Sequence, residues 1–131
     1  MVMKEQLALD TNIAIDILNG NKRVIQLLEE VSTLFLPVTV CGELLFGAKN
    51  SGRPVENEIL FRQFINACTI LSCGIAIADT YSEVRKKLKD KGRPIPENDI
   101  WIAATCIVYD IPLATRDQHF KEVDGLELFS I

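Results

Sequence analysis

Apolar residues along the chain fall into short continuous runs that alternate with longer segments of helical spacing. The continuous runs occupy positions 7–9, 34–36, 69–72, 111–114 and 126–129 and predict buried strands. Apolar residues recur every three or four positions in 13–18, 24–31, 38–49, 59–68, 81–92 and 99–109, which predicts helices. Short apolar strands that alternate with helices form a parallel sheet covered on both faces. We therefore predict a three-layer α/β/α fold with a central parallel sheet of four to five strands.

Proline and capping residues mark some boundaries between these elements. Arg53 and Pro54 predict a surface loop. The prolines within 92–96 exclude a regular helix in that connection, because proline lacks an amide N–H and restricts the residue before it. Asn98 is the expected N-cap of the apolar helix 99–109.

The composition sets the size and the broad class of the protein. The chain has 131 residues, of which 48% are hydrophobic, so it has the length of one ordinary domain and enough apolar residues for a core. We expect one domain over residues 1–131. The net charge of −4 is unlike the basic character of a typical duplex-DNA binder, although cations held by carboxylates restore positive charge locally.

Hydropathy and cysteine usage suggest a cellular location. The apolar stretches are far shorter than the ~20 residues that a membrane span needs, and the first six residues lack the apolar region of a signal peptide. The four cysteines include no C-x-x-C pair and stand among apolar residues, which predicts reduced core cysteines rather than a disulfide or a zinc site. We expect a cytoplasmic protein with no membrane attachment.

Four carboxylates stand where this fold would place a functional site. Function in an open parallel sheet lies at the carboxyl ends of the strands, and Asp10 and Asp117 follow the first and fourth predicted strands. Asp99 stands in the first turn of an apolar helix, where the helix dipole favours a negative charge. Glu43 lies on or beside the apolar face of helix 38–49, and an acid in such a position is seldom buried without a partner.

Taken singly, most of these acids also fit a simpler role. Asp10 could be an N-cap, Asp99 a first-turn acid and Asp117 a turn residue. If the acids converge, two carboxylates about 4 Å apart repel by about 4 kcal/mol at an effective dielectric of ~20, so the cluster needs protons or cations. Oxygen-only ligands suit Mg²⁺ or Mn²⁺, and a metal-activated water can attack a phosphodiester in line. The combination therefore predicts phosphodiester hydrolysis.

Other proteins also place aspartates at strand ends. An aspartate-nucleophile phosphatase needs a second aspartate two residues after the first, and here Asn12 follows Asp10 at that spacing. A receiver domain needs an early acidic pair and a late lysine at a strand end, and neither is apparent. A catalytically silent module of the same fold, which binds RNA or a protein partner, is the alternative that the sequence leaves open.

The ordered set of motifs resembles the PIN-domain ribonucleases, and within them the VapC-type toxins of toxin–antitoxin systems. The matching motifs are Leu-Asp-Thr-Asn at 9–12, Glu43 in the third predicted helix, Asn98-Asp99 at the start of the late apolar helix, and Thr-Arg-Asp at 115–117. The match extends over nearly the whole chain. The resemblance implies a PIN-like fold and a metal-dependent endoribonuclease that uses Mg²⁺, with Mn²⁺ as a substitute, as the toxin of a type II pair.

The resemblance also implies roles for individual residues. Asp10 and Asp99 would be the main metal ligands, and Glu43 and Asp117 would complete the catalytic pocket directly or through water. The residues that would support the ligands are Thr11, Asn12, Asn98 and Thr115. Proteins of this kind are typically homodimers that cleave RNA and are silenced by a cognate antitoxin bound over the site.

Basic residues lie near two of the acids. The basic run 85–93 precedes Asp99 and is either a solvated helix face or a patch that holds RNA phosphates, with Lys87 and Arg93 as candidate contacts. Arg116 stands beside Asp117 and could bind RNA or an antitoxin carboxylate.

Three remaining residues have simpler interpretations. His119 has no second histidine and no nearby cysteine to form a metal set, so we interpret it as a surface residue and leave a role near the site as the alternative. Trp101 and Tyr109 lie on the apolar helix, where core or dimer contacts are a better interpretation than base-stacking platforms.

Overall fold

Five strands and six α-helices alternate within residues 6–131, the range that the computed structural model describes. The strands are β1 (Gln6–Leu9), β2 (Thr33–Pro37), β3 (Thr69–Leu71), β4 (Leu113–Thr115) and β5 (Leu128–Ser130). The helices are α1 (Thr11–Leu18), α2 (Lys22–Leu28), α3 (Val38–Lys49), α4 (Pro54–Ala67), α5 (Ile75–Asp90) and α6 (Glu97–Tyr109). A short 3₁₀ helix, Gln118–Glu122, follows β4. Residues 1–5, on which the expectation of no signal peptide rests, lie outside the described range.

The strands form one parallel sheet in the order β3-β2-β1-β4-β5. Strands β2 and β3 lie on one side of β1, and β4 and β5 lie on the other side. β1 and β4 are therefore neighbours in the sheet although most of the chain separates them in the sequence. Their register pairs Ala8 with Leu113 and Leu9 with Ala114. Such a reversal of strand order opens a crevice at the carboxyl ends of the two strands. The acids that follow β1 and β4 in the sequence therefore arrive at that crevice.

Burial explains the apolar runs of the central strands. Leu7, Ala8 and Leu9 in β1 are fully buried, and so are Leu113 and Ala114 in β4. Central strands of a parallel sheet have helices over both faces, so their side chains are apolar at successive positions rather than at alternate ones. The predicted three-layer α/β/α fold with a parallel sheet is confirmed.

Two local predictions at helix starts are wrong. Pro54 is the first residue of α4 rather than part of a loop, because proline has no N–H to leave unpaired and its fixed φ suits the first helical position. Asn98 is not the N-cap of α6, since the helix begins at Glu97 with Pro96 as its cap. The Pro96 carbonyl accepts the N–H groups of Asp99 and Ile100, so the helix starts two residues earlier than a side-chain cap at Asn98 would allow.

Several element ends differ from the prediction by two or three residues. The fourth strand begins at Leu113 rather than at 111, and the last strand covers Leu128–Ser130 rather than 126–129. Helix α2 ends at Leu28 rather than at 31. Apolar character reports burial, and Ile111 is buried although it lies outside the strand, so hydropathy does not mark where strand pairing begins.

The cysteines are all free, as predicted, but they are not all in the core. Cys41 and Cys106 are buried and Cys68 is partly buried, whereas Cys73 is exposed in the segment between β3 and α5. The prediction of a core position is therefore wrong for Cys73, because this residue lies in the connection after the short strand β3 and not on the apolar face of a helix or strand. Within residues 6–131, no helix has the length and apolar character to cross a membrane.

Candidate functional site

Asp10 lies at the carboxyl end of the central strand β1 and caps helix α1. One carboxylate oxygen, Oδ1, accepts a hydrogen bond of 2.8 Å from the Thr11 N–H. The other, Oδ2, accepts a hydrogen bond of 2.7 Å from the Thr115 hydroxyl. The residue is only 3% exposed. Asp10 thus has the N-cap role that the sequence allowed, and it is also fixed against the neighbouring strand end.

Thr115 connects Asp10 to the segment that carries Asp117. Its hydroxyl donates to Asp10 and accepts the Asp117 N–H at 3.0 Å. The backbone reinforces this link, because the Asp10 N–H donates to the Ala114 carbonyl at 2.9 Å. The ends of β1 and β4 are therefore joined by a buried chain of hydrogen bonds that sets the position of both acids.

Removing the Thr115 hydroxyl is expected to destabilise this end of the sheet. The Thr115→Val variant keeps the side-chain shape but leaves a buried oxygen of Asp10 and the N–H of Asp117 without their partner, which costs about 1–3 kcal/mol in the free energy of unfolding. Thr115→Ser retains the hydroxyl and serves as the matched control. Urea unfolding at pH 7 in EDTA measures the difference, and equal stability of the two variants would contradict this assignment.

Glu43 reaches the same region from helix α3. Its Oε2 accepts a hydrogen bond of 3.0 Å from the Thr11 hydroxyl, and its Oε1 is buried with no hydrogen-bond partner within residues 6–131. Lys49 was the only nearby cation in the sequence, but it pairs with Glu58 on α4. The partner of Glu43 therefore comes from the start of α1, which is distant along the chain.

Asp99 and His119 meet at the edge of the site. Asp99 stands in the first turn of α6, and its Oδ2 lies 2.7 Å from Nε2 of His119. Asp99, Asp117 and His119 each offer one ligand atom, and these three atoms lie within 4.8 Å of one another. A third of the His119 side chain is exposed and its ring contacts Asp99, which favours the role near the site that the sequence left open as the alternative. Its place two residues after Asp117 was the only signal in the sequence.

Contacts through Thr11 and Thr115, together with the close spacing of Asp99 and Asp117, bring the four predicted acids near one another. Burial raises the pKa of Asp10 from 3.8 to about 6, against the hydrogen bonds from Thr115 and Thr11, and the charges of Asp99 and Asp117 raise it further. Burial likewise raises the pKa of Glu43, again with contributions from Asp99 and Asp117. The pKa of Asp99 is raised by burial and by Asp117, whereas His119 opposes the rise. Protons or a bound cation would therefore stabilise this cluster of carboxylates.

The predicted supporting residues divide into two groups. Thr11 and Thr115 hydrogen-bond directly to predicted acids, and the buried Oδ1 of Asn12 has no hydrogen-bond partner within the described chain. Asn98 is exposed beside Asp99 in the first turn of α6. The buried Oε1 of Glu43 also lacks a hydrogen-bond partner within residues 6–131, so a bound cation or water would suit this position.

The three predicted basic contacts lie in different places. Arg93 lines a surface cleft that also includes His119, next to the acidic cluster. Lys87 lines a separate cavity with Glu122 and Asp124. Arg116 forms an ion pair with Asp16 of α1, a residue that the sequence analysis did not single out. Of the three, Arg93 is the one that the structure places beside His119.

Comparisons with known proteins point to one family. The model of the PIN domain matches residues 7–126. Ribonuclease VapC2 of Haemophilus influenzae is 30% identical over 73% of this chain and 74% of its own length. Ribonuclease VapC2 of Rickettsia felis is 28% identical over 92% of this chain and 93% of its own length.

Solved structures agree over almost the entire chain. The crystal structure of VapBC2 from Rickettsia felis bound to a DNA fragment from their promoter contains a chain with a TM-score of 0.85 and 26% identity, covering 95% of this chain and 98% of that one. VapBC-1 from nontypeable Haemophilus influenzae contains a chain with a TM-score of 0.82 and 27% identity, covering 95% and 97% respectively.

Proposed function

Because the chain belongs to the PIN-domain family, and within it to the VapC group, we propose that it is a metal-dependent endoribonuclease and the toxin of a type II toxin–antitoxin pair. The observation that carries the proposal is the convergence of Asp10, Glu43, Asp99 and Asp117 at the carboxyl ends of β1 and β4, through hydrogen bonds to Thr11 and Thr115 and the close spacing of Asp99 and Asp117. We treat residues 1–131 as one nuclease domain.

The residues of the cluster suit a divalent cation. Most of the donor atoms are carboxylate oxygens, which Mg²⁺ and Mn²⁺ prefer. The buried Oε1 of Glu43 lacks a hydrogen-bond partner in the described chain, and a cation with its waters would satisfy it. Asp10 and Asp99 would be the main ligands, with Glu43 and Asp117 completing the pocket directly or through water. We propose Mg²⁺ as the cofactor, with Mn²⁺ as a substitute.

When bound, the cation supplies Lewis acidity, which lowers the pKa of a water molecule and offsets the charge that develops on a phosphodiester. The chain's own residues prepare the site for this chemistry. Thr115 and the Thr11 N–H hold the two oxygens of Asp10 in a fixed orientation. The Thr11 hydroxyl holds one oxygen of Glu43, Oε2. Fixed ligands need no reorganisation during the reaction, which is the main way that such sites lower a barrier.

Basic side chains are the proposed contacts to RNA phosphates. Arg93 lines the cleft that includes His119, and it would hold a phosphate next to the acids. Lys87 would make a further contact from α5, in the cavity that it lines with Glu122 and Asp124. Arg116 would contact RNA or an antitoxin carboxylate, and Asp16 holds its guanidinium in the free protein. These contacts would offset the negative net charge of the chain where the substrate binds.

Protein partners are part of the proposal. The neighbours from Rickettsia felis and Haemophilus influenzae are VapBC assemblies, and we propose that this chain binds a cognate antitoxin and forms a homodimer. Exposed apolar side chains on α3 and α4 support a protein contact, since Phe46 is 66%, Val55 72% and Ile59 56% exposed. We place the protein in the cytoplasm, where its four free cysteines would stay reduced.

A cleavage assay with metal control tests the proposed activity. Purified protein should cut single-stranded RNA in Mg²⁺ or Mn²⁺, stop when EDTA is added and recover when excess Mg²⁺ is restored. Cleavage that continues in EDTA would contradict the metal mechanism. Failure to cut RNA with either cation would instead support a catalytically silent module that binds RNA or a protein.

A further inference from the structure

His119 is the single histidine of the chain, and it lies within the acidic cluster. Its side chain is 33% exposed and that of Asp99 is 16% exposed, so the pair stands at the mouth of the site rather than on open surface. The ring also contacts Phe120, with the ring centroids 4.9 Å apart, and Phe120 is fully buried. The imidazole therefore packs against the buried Phe120 ring, and its Nε2 contacts Asp99.

The spacing of the three potential ligand atoms suits one cation. Metal–ligand distances of about 2.1 Å place adjacent ligands of an octahedral ion about 3.0 Å apart and opposite ligands about 4.2 Å apart. The atoms of Asp99, Asp117 and His119 lie within 4.8 Å of one another, and the contact between Asp99 Oδ2 and His119 Nε2 is 2.7 Å. Shifts of a few tenths of an ångström would turn this hydrogen-bonded pair into two adjacent ligands.

We propose that His119 is a metal ligand together with Asp99 and Asp117, and that this nitrogen raises the affinity of the site for a first-row transition cation such as Mn²⁺ relative to its affinity for Mg²⁺, the proposed cofactor. The inference rests on the proposed function, because it concerns the cation of the same site. An oxygen-only set would suit Mg²⁺, whereas imidazole is a ligand that transition ions accept far more readily than Mg²⁺ does. The four predicted acids alone gave no reason to expect such a preference.

The competing explanation is that His119 only positions Asp99. In that case, its Nε2 would donate a hydrogen bond to Asp99 and never bind the cation. Two substitutions separate the explanations. His119→Gln keeps an N–H donor that can reach Asp99 but removes the imidazole ligand. His119→Asp keeps a metal ligand but replaces nitrogen with oxygen.

Pulsed EPR of the Mn²⁺-loaded protein detects the nitrogen directly. The protein is prepared without a histidine tag, so His119 is the only imidazole in the sample. Wild type is expected to show ¹⁴N modulation from a directly bound imidazole. Both His119→Gln and His119→Asp should lose that modulation. Lys121→Ala, an exposed residue of the same 3₁₀ helix, serves as the control and should retain it.

Calorimetric titration with Mn²⁺ and with Mg²⁺ measures the preference itself. His119→Gln is expected to weaken Mn²⁺ binding by about tenfold or more and to affect Mg²⁺ binding less. His119→Asp should bind both cations with a lower ratio of Mn²⁺ to Mg²⁺ affinity than wild type has. An unchanged ratio in both variants would overturn the inference.

The two proposals fail in different ways. Metal ligation by His119 would be overturned if the wild-type protein binds Mn²⁺ without ¹⁴N modulation and His119→Gln binds the cations as wild type does. The proposed metal-dependent nuclease activity would then still stand. Wild-type protein that binds neither cation would overturn both proposals. RNA cleavage that stops in EDTA, combined with absent ¹⁴N modulation, would leave only the proposed function standing.

Discussion

Replacing Asp10 with asparagine is expected to lower RNA cleavage by about a hundredfold or more while leaving the fold intact. Asp10 is the most buried of the four acids that we place in the site, and both of its oxygens are oriented by hydrogen bonds. Asparagine keeps the shape and can still accept the Thr11 N–H. It carries no charge, however, so it is a weak ligand for a divalent cation in a site where charge neutralisation drives binding.

Initial rates on a fluorogenic single-stranded RNA measure this effect, and circular dichroism checks the fold. Asp79→Asn is the matched control, because Asp79 is an exposed aspartate on α5 and the same substitution there should leave the rate unchanged. Binding of Mn²⁺ should weaken in Asp10→Asn and not in Asp79→Asn. A folded Asp10→Asn variant that cleaves RNA at the wild-type rate would show that the catalytic site lies elsewhere.

The metal-free protein is expected to lose stability as the pH rises from 4.5 to 7.5. The pKa of Asp10 is 3.8 in the unfolded reference and about 6 in the folded protein, so the folded state binds more protons across this interval. The free energy of unfolding then falls with rising pH. The fall is about 3 kcal/mol over the whole titration of Asp10 and about 2 kcal/mol between pH 4.5 and 7.5. Burial shifts Glu43 and Asp99 in the same direction, which adds to the fall.

Urea unfolding in EDTA at a series of pH values tests this dependence. Asp10→Asn should show a smaller fall, since it removes the group with the shifted pKa, and it should therefore gain stability relative to wild type as the pH rises. Addition of Mn²⁺ at pH 7.5 should raise the Tm of wild type, because the cation takes the place of the protons. Stability that stays constant or increases from pH 4.5 to 7.5 in EDTA would contradict the buried, uncompensated charge of Asp10.

The sequence predicted the parts of the site that depend on topology. Asp10 and Asp117 each follow an apolar strand, and the carboxyl ends of parallel strands share one edge of the sheet. Any fold with this alternation of strands and helices would bring the two acids to that edge. The position of Asp99 could also be predicted, because the first turn of a helix that leads into a parallel strand lies at the same edge of the sheet.

The partners of these acids could not be predicted in the same way. Glu43 hydrogen-bonds to Thr11, and the sequence separation gives no sign of that contact. Lys49, the one cation near Glu43 in the sequence, points toward Glu58 on the next helix instead. Side-chain pairing between elements depends on how the helices pack, and periodicity along one element contains no information about that packing.

The sequence by itself determined the alternation of elements, the parallel sheet and the edge at which the acids gather, because these follow from hydrophobic period and chain order. Only the tertiary structure decided that Thr115 fixes Asp10 and that His119 joins Asp99 and Asp117. His119 has no histidine or cysteine neighbour in the sequence, so it belongs to no local metal-binding motif. Its partner Asp99 lies 20 residues away in the first turn of α6. The two residues meet because α6 begins, and β4 ends, at the same edge of the sheet.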